Sequence, residues 1–422
     1  MKMFPHLFKF YTIVLILFFT IKLFPNPKAD STTSVRLAVV GDLMCHSPQY
    51  EFARVSTSRD TFNFNPTFEK IKKYLSNADF TFGNLETVVD DGKTPLSGYP
   101  RFNTPPEFIS AIRNAGFDML VTANNHAYDQ GESGVINTIK ELCKNHLGYA
   151  GTFSSQKDRD SVRVFNIKGI TFSVLAYSFG TNIHPIPAGK KYLVNIIDYN
   201  LIKNDIDKAR AKHAQIVIVY LHFGKQYLRV ATANQKYVVE HIIRLGADII
   251  LGSHPHVLEP AEFYKTHDAT LDTGFVIYSL GNFISNQRWR YSDGGAILYI
   301  NLLKNNYTGS IKISKVEYVP TWVYKGPTNL GNQFMIINPC DLLKDTSLNF
   351  LSYDDIQEML QSFSDTKETL HKNTSKILLY RPESSFYYED IEFLNSEINK
   401  RSTLPESLSA FPDRPINLYS KP

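Results

Sequence analysis

The 422-residue chain carries 45 basic and 41 acidic side chains, a formal charge of +4. This near balance, with no basic cluster interleaved with aromatics, gives no ground for a nucleic-acid partner. With 43% of residues hydrophobic, the chain has material for a large core and more than one domain's worth of length. Its three cysteines, Cys45, Cys143 and Cys340, are far apart and in no metal-type spacing, which argues against a disulfide framework and leaves a single bridge open.

Residues 1–30 read as a targeting segment. Lys2 and Lys9 precede the apolar run 11–21 (YTIVLILFFTI), and Lys22 closes it. The run is short against the roughly 20 apolar residues of a full membrane span, but flanking apolar residues extend it and the lysines can snorkel. No small-residue cleavage site follows. An uncleaved signal anchor is the expectation, a cleaved export signal the alternative, and a buried core helix the bland reading. Either export reading puts the remainder outside the cytoplasm, on the membrane or secreted or periplasmic.

A polar linker at 30–34 leads into alternating strands and helices. Strands are expected at 35–40, 80–82 and 119–122, with helices at 66–75, 106–115 and 133–144. A hairpin is expected over 162–167 and 171–177. Then come a helix at 201–212, a strand at 216–221, a helix at 235–245, and strands at 248–251, 275–280 and 296–303. This rhythm predicts an α/β layered fold. Residues 309–323 read as antiparallel strands at the edge of the same domain. Past about Pro327 the rhythm stops, with helical stretches at 352–363 and 389–400. The expected organisation is 1–30 anchor and linker, 31–326 main domain, and 327–422 a partly helical C-terminal extension.

Six polar motifs each follow an apolar strand run directly: Gly41-Asp42, Gly83-Asn84-Leu85-Glu86, Asn124-Asn125-His126 with Asp129 beyond, His222-Phe223-Gly224, Gly252-Ser253-His254-Pro255-His256, and Gly281-Asn282-Phe283. In open α/β sheets, sites form at the carboxyl ends of strands. Carboxylate and amide oxygens mixed with imidazole nitrogens suit zinc, manganese or iron better than calcium. Taken singly, each residue has an ordinary reading. Asp42 caps a turn, His254 and His256 are satisfied by backbone, Asp129 caps the helix near Ser133, and Asn282 is a turn residue. His46 reads as a solvated loop histidine.

These motifs resemble the calcineurin-like metallophosphoesterases, and more closely the CapA-type capsule-synthesis proteins linked to poly-γ-glutamate, over residues 34–325. Gly41-Asp42 resembles the opening GD motif, and Gly83-Asn84-Leu85-Glu86 the GNLE motif of CapA proteins. The stretch ANNHAYDQG resembles the Asn-His motif, His222 the isolated histidine ligand, and GSHPH the closing histidine pair. SLGNF at 279–283 and YVPTW at 318–322 are further CapA-type signatures. The resemblance implies a four-layer α/β sandwich. It implies a site for one or two divalent ions (Mn, Zn or Fe) held by Asp42, Glu86, Asn125, His222, His254 and His256. Asn84 and Asn124, each adjacent to a favoured position, are alternative oxygen donors. His126 is implied as a general acid, with Asp129 orienting its other ring nitrogen. The chain departs from the pattern in three places. Met44 stands where phosphoesterases have histidine, with His46 two residues further on. Glu86 replaces the bridging aspartate, and Gln226 replaces the glutamate of the Glu-Tyr pair.

Two functions of different classes follow. The first is a membrane-anchored, extracytoplasmic protein of capsule or poly-γ-glutamate biosynthesis and export, gripping an anionic polymer and working with other capsule-synthesis proteins. The second is a metal-dependent phosphoesterase acting by metal-bound hydroxide, with His126 as general acid. Whether the chain is an enzyme is left open by the sequence.

Overall fold

The computed structural model describes residues 31–56, 61–182, 185–342 and 344–381. The expected anchor at 1–30 and the helical stretch at 389–400 lie outside the described residues. Among those described, no helix is long and apolar enough to cross a membrane.

The first half of the chain runs β1 (Thr32–Leu43), α1 (Ser47–Ala53), the small ribbon β2 (Arg54–Ser56) and β3 (Thr61–Phe62), α2 (Asn65–Phe68), α3 (Lys72–Leu75), β4 (Phe80–Leu85), α4 (Glu107–Asn114), β5 (Met119–Val121), α5 (Gly131–Lys144), β6 (Gly148–Ala150), α6 (Gln156–Arg159), β7 (Phe165–Ile167) and β8 (Ile170–Ser178). The second half runs α7 (Tyr199–Ala211), β9 (Ile216–His222), α8 (Ala233–Arg244), β10 (Ile249–Ser253), β11 (Ala261–Lys265), β12 (Thr273–Ile277), β13 (Asn282–Ile284), β14 (Gly294–Asn305), β15 (Ile311–Thr328), β16 (Gly331–Ile337), α9 (Tyr353–His371) and β17 (Ile377–Leu379).

The strands form two mixed sheets. One has the order β16-β15-β14-β1-β4-β5-β6, with β13 paired to the end of β1 and β17 to β15; the other has the order β11-β12-β10-β9-β8-β7. The central strands β1, β4, β5 and β6 are parallel, as are β8, β9, β10 and β12. Helices cover both outer faces. Parallel strands buried on both sides need unbroken apolar sequence, which is why IVIVYL of β9 is apolar at every position. Its alternate residues separate cleanly. Ile216, Ile218 and Tyr220 enter the core between the sheets. Val217, Val219 and Leu221 pack under Ile202 and Ile206 of α7 and Val238 and Ile242 of α8. The result is the four-layer α/β sandwich.

Helix ends follow local chemistry. Thr232 and Gln235 form a reciprocal capping box on α8, and Ser352 and Asp355 do the same on α9. The expected helix over 66–75 is instead two single turns, α2 and α3. The expected strand pair over 309–323 is one long strand, β15, paired with β14 on one side and β16 on the other. It runs through Pro327. Beyond it, Trp322 and Tyr324 of β15 and Met335 and Ile337 of β16 pack against Met359, Leu360 and Phe363 of α9, forming a third apolar cluster. Strand and helix therefore continue past the point where the sequence rhythm fades. The described cysteines are all free.

Candidate metal centre

The six motifs converge where the carboxyl ends of the parallel strands from the two sheets meet. Backbone packing sets this junction. A Cβ at Gly41 would lie 1.9 Å from the Gly281 carbonyl, and one at Gly252 would lie 1.9 Å from that of Tyr278. Only glycine permits either approach. Asp42 lies in parallel register with both Asn84 and Asn282, so three strand ends deliver their side chains side by side.

Asp42 is fully buried. Its Oδ1 accepts from Asn84 Nδ2 at 2.8 Å, and Oδ2 lies 3.1 Å from His256 Nδ1. Burial opposes its ionisation, yet the His256 hydrogen bond and the charges of His256 and His222 outweigh that and hold the carboxyl at about 2. His256 Nδ1 also faces Asn282 Oδ1 at 3.2 Å. Both neighbours are acceptors, because Asn282 Nδ2 is committed to Gln287 and the Ser292 carbonyl. The proton therefore sits on Nδ1, and Nε2 faces Glu86 Oε1 at 3.8 Å and Gln226 Nε2 at 3.4 Å. Burial works against protonating His256, but Glu86 and Asp42 prevail and lift its pKa to about 9, so a cation at Nε2 would have to displace a proton held there by Glu86.

His222 is held from behind by Ser253 Oγ, 2.9 Å from Nδ1. Its Nε2 meets Asn125 Oδ1 at 2.6 Å and Glu86 Oε1 at 3.4 Å. His254 adopts a left-handed φ of 102° and packs its ring 4.8 Å from that of His222. Burial pushes His222 down to about 3; burial with the neighbouring His222 and His256 charges pushes His254 down to about 2. Both rings are thus neutral, the state in which imidazole binds a metal.

Glu86 is the most telling residue. It is fully buried, and neither carboxylate oxygen has a hydrogen-bond partner; His254 Nδ1 is likewise unpartnered. Burial and the adjacent Asp42 charge drive its pKa well above the usual carboxylate range. A buried carboxylate with no donor is strongly unfavourable. Glu86, His254 and His256 bring ligand atoms within 4.8 Å of one another, and so do Asp42, Glu86 and His222. The unsatisfied atoms are therefore the ones a divalent cation would satisfy, and the donor set fits it.

Asn84 and Asn124 have a different task. Asn84 Oδ1 accepts from Asn124 Nδ2, and Asn124 Oδ1 accepts from the His126 backbone N–H. The first contact clasps the ends of β4 and β5, and the second closes a turn within the Asn124 loop, so both oxygens are occupied. Asn282 is no plain turn residue, since it fixes His256. His46 is not a solvated loop histidine. It is buried at the start of α1, burial lowers its pKa to about 4, and its ring meets the edge of Phe102 at 5.2 Å. The other face of that contact is His126, 4.7 Å from Phe102.

His126 Nδ1 lies 2.8 Å from Asp129 Oδ2, which also accepts from the Phe102 N–H. Asp129 being the acceptor, Nδ1 donates, and Nε2 is left beside Asn182 Nδ2 at 3.3 Å. Asn125, His126, Asn182 and His254 line one cleft of about 640 Å³, with Tyr99, Phe179 and Tyr227 at its mouth. All eight sequence-identified site residues are thus brought together. Phe102, Asn182, Phe179 and Tyr99 belong to none of the strand-end motifs. They arrive on loops, where no periodicity marks them.

Comparison with solved structures returns partial matches at low identity. The NAD nucleotidase of Haemophilus influenzae aligns with 88% of this chain and 60% of its own at 10% identity and a TM-score of 0.41. A putative 5'-nucleotidase from Staphylococcus aureus aligns with 79% and 58% at 14% identity and 0.42. Among sequence relatives, the capsule biosynthesis protein CapA of Bacillus anthracis is 27% identical over 285 residues, 66% of each chain, so the match spans just under two thirds of that relative's length. The PGA biosynthesis protein CapA of Bacillus subtilis is 29% identical over 301 residues, 69% of this chain and 74% of the relative. The family model described as bacterial capsule synthesis protein PGA_cap matches residues 36–287, which include every residue of the centre. The chain belongs to this capsule-synthesis family.

Proposed function

We propose that this protein serves the production of a capsule or related anionic surface polymer such as poly-γ-glutamate, from a divalent-metal centre held by Asp42, Glu86, Asn125, His222, His254 and His256. The observation that carries the metal is the pair of unpartnered Glu86 oxygens in a fully buried setting, with ligand atoms of His254 and His256 within 4.8 Å. The oxygen and nitrogen donors favour manganese, zinc or iron. Glu86 belongs to both triads of converging ligand atoms, so one ion uses half the centre and two would share Glu86. When bound, the ion supplies positive charge and Lewis acidity toward a carboxylate or phosphate oxygen of the ligand. The family membership supports the polymer assignment. The apolar segment at 11–21 supports anchoring to the cell membrane with the domain extracytoplasmic, and other capsule-synthesis proteins as partners.

A second reading, phosphoester hydrolysis, is favoured by one specific arrangement. The Asp129 carboxylate orients His126 so that Nε2 lines the cleft beside the centre. From there His126, after Nε2 takes a proton from solvent with Nδ1–H kept on Asp129, would give that Nε2 proton to a leaving oxygen. The experiment is metal analysis of the purified protein, followed by a phosphoester panel with wild type and His126→Ala and by capsule measurement in a deletion strain. Metal-free protein after manganese or zinc loading would sink the centre. An unchanged capsule would sink the polymer role, absence of turnover by metal-loaded protein would sink the hydrolase, and turnover insensitive to His126→Ala would remove His126 from the chemistry.

A further inference from the structure

A second groove shares no lining residue with the cleft. β15, β17 and the C-terminal half of α9 enclose about 580 Å³, inside the range of roughly 300–1,000 Å³ usual for specific binding sites. Phe363, Ile377 and Leu379 line it, and Leu378 projects beside them 45% exposed. A recessed apolar surface is thus left uncovered. Its border is basic, with Lys315, Lys367 and Arg381 standing on it. Glu317, the one carboxylate among the described lining residues, is already met by Lys315 at 2.7 Å and Arg36 at 3.8 Å. His371 closes one end, its Nε2 donating to the Ile377 carbonyl at 3.0 Å and tying α9 to β17.

The chain itself leaves along this groove. β17 ends at Leu379, the Tyr380 N–H donates to the Tyr318 carbonyl at 2.8 Å, and Arg381 is part of the border. The sequence that follows complements the groove. Residues 382–399 hold Glu383, Glu389, Asp390, Glu392 and Glu397 and no lysine or arginine. Ile391, Leu394 and Ile398 fall at the i, i+3, i+7 spacing of one helical face, within the stretch 389–400 that reads as helical. At 3.6 residues per turn, Asp390 and Glu397 run along one side of that face and Glu392 along the other. An apolar stripe between carboxylates matches an apolar floor between lysines, the helix-in-groove mode of recognition. Tethering favours this occupant over a separate one. The ten residues from Pro382 to Ile391 reach at most about 36 Å, enough to turn back onto the three-residue β17. A short tether also holds the segment at an effective concentration on the order of millimolar.

We propose that residues 389–398 of this chain dock in the groove between β17 and α9, with the apolar stripe on Leu378 and Phe363 and the carboxylates toward Lys315 and Lys367. The groove contains no residue of the metal centre, so the docking stands or falls apart from the functional reading of that centre.

The test is zero-length carbodiimide crosslinking of the full-length protein, which joins a lysine amine to a carboxylate it touches. It is read by mass spectrometry on an equal mixture of unlabelled and heavy-nitrogen-labelled chains. Lys315 or Lys367 is expected to link to Glu389, Asp390 or Glu392 within one chain, with the adjacent Lys315–Glu317 pair as internal standard. Ile391→Asp combined with Leu394→Asp leaves every described contact in place and should lower that yield about tenfold or more. Leu378→Asp, at an exposed position, should do the same from the groove side. Hydrogen exchange gives a second readout, since the β17 amides should exchange faster by about the same factor in the double variant. Links found only between labelled and unlabelled chains would hand the groove to a second copy and overturn the proposal. Protection of β17 that arises only on adding a γ-linked glutamate hexamer would hand it to the anionic polymer instead. Absence of any link between segment and groove, or yields and exchange unmoved by both variants, would overturn it equally.

Discussion

His256 Nδ1 lies 3.1 Å from Asp42 Oδ2 although the two residues are 214 positions apart, Asp42 in β1 of one sheet and His256 in the loop after β10 of the other. The contact fixes the tautomer of His256 and turns Nε2 toward Glu86. Asn282 completes it from the third strand end, accepting from the same Nδ1. Removing a residue that orients a metal-binding histidine typically weakens the metal by about 10–100-fold. Asn282→Ala is expected to do so with the far-ultraviolet dichroism unchanged, whereas Glu86→Ala should abolish binding altogether because both triads use it. Metal titration against a competing chelator measures both. Equal affinity in Asn282→Ala and wild type would show that Asn282 has no part in the centre.

The His126–Asp129 pair separates chemistry from binding. If the protein hydrolyses phosphoesters, His126→Ala should slow turnover by about 10²–10⁴-fold with metal content retained. Asp129→Asn should give a smaller loss, because it removes the orienting carboxylate and leaves the ring. Metal content and kcat measured on the same preparations distinguish this from collapse of the centre. A His126→Ala variant that loses its metal would place His126 among the ligands instead.

Glu259 supplies a pH signature outside the centre. It is fully buried, one oxygen accepts from Gln235 Nε2 at 2.6 Å, and the other has no partner. Burial pushes its pKa from 4.5 to about 8, the Gln235 hydrogen bond offsetting only part of the rise. The folded protein therefore keeps a proton that the unfolded chain releases between pH 4.5 and 8. Stability from this group is full below pH 4.5 and declines by up to about 1.4 kcal/mol per pH unit across that window. Glu259→Gln removes the titration. Urea midpoints at pH 5, 6.5 and 8 should fall less steeply for the variant than for wild type, and parallel slopes would refute the assignment.

A buried ion pair gives a stability test remote from the cleft. Arg159 grips both oxygens of Asp205 at 3.0 and 2.8 Å, and Tyr177 donates to the same carboxylate at 2.7 Å. Arg159→Met leaves the carboxylate buried with one donor, at an expected cost of about 3–5 kcal/mol. Arg159→Met with Asp205→Leu should recover much of that loss, as seen by chemical denaturation. A double variant less stable than the single one would mean that the pair itself, and not the orphaned charge, carries the effect.

The centre was legible in the sequence because parallel strands advertise themselves. IVIVYL, DIIL and LAVV are buried on both faces and unbroken, so the first polar residue after each marks a strand end. Asp42, Glu86, Asn125, His222 and the two GSHPH histidines all lie at such ends. The burial of His46 was not legible, because it depends on Phe102 arriving from a distant loop. Nor was the mouth of the cleft. Tyr99 and Phe179 are exposed loop aromatics, and exposure leaves no period in a sequence. The length of β15 was hidden by Pro327, which reads as a break but sits within its pairing. The division of residues 65–75 into two turns likewise has no counterpart in their apolar spacing.

The division of the centre between two sheets has a kinetic consequence. Its donors span Asp42 to His256, and none of the local segments holds three of them in place. Tight metal capture would therefore report on the completed sandwich, and the unfolded chain would compete only through isolated histidines, cysteines and carboxylates. Once bound, the ion stabilises only the finished state, in proportion to its free concentration. On the proposed reading, a metal would be the last component to enter, closing a structure whose two sheets must already have met.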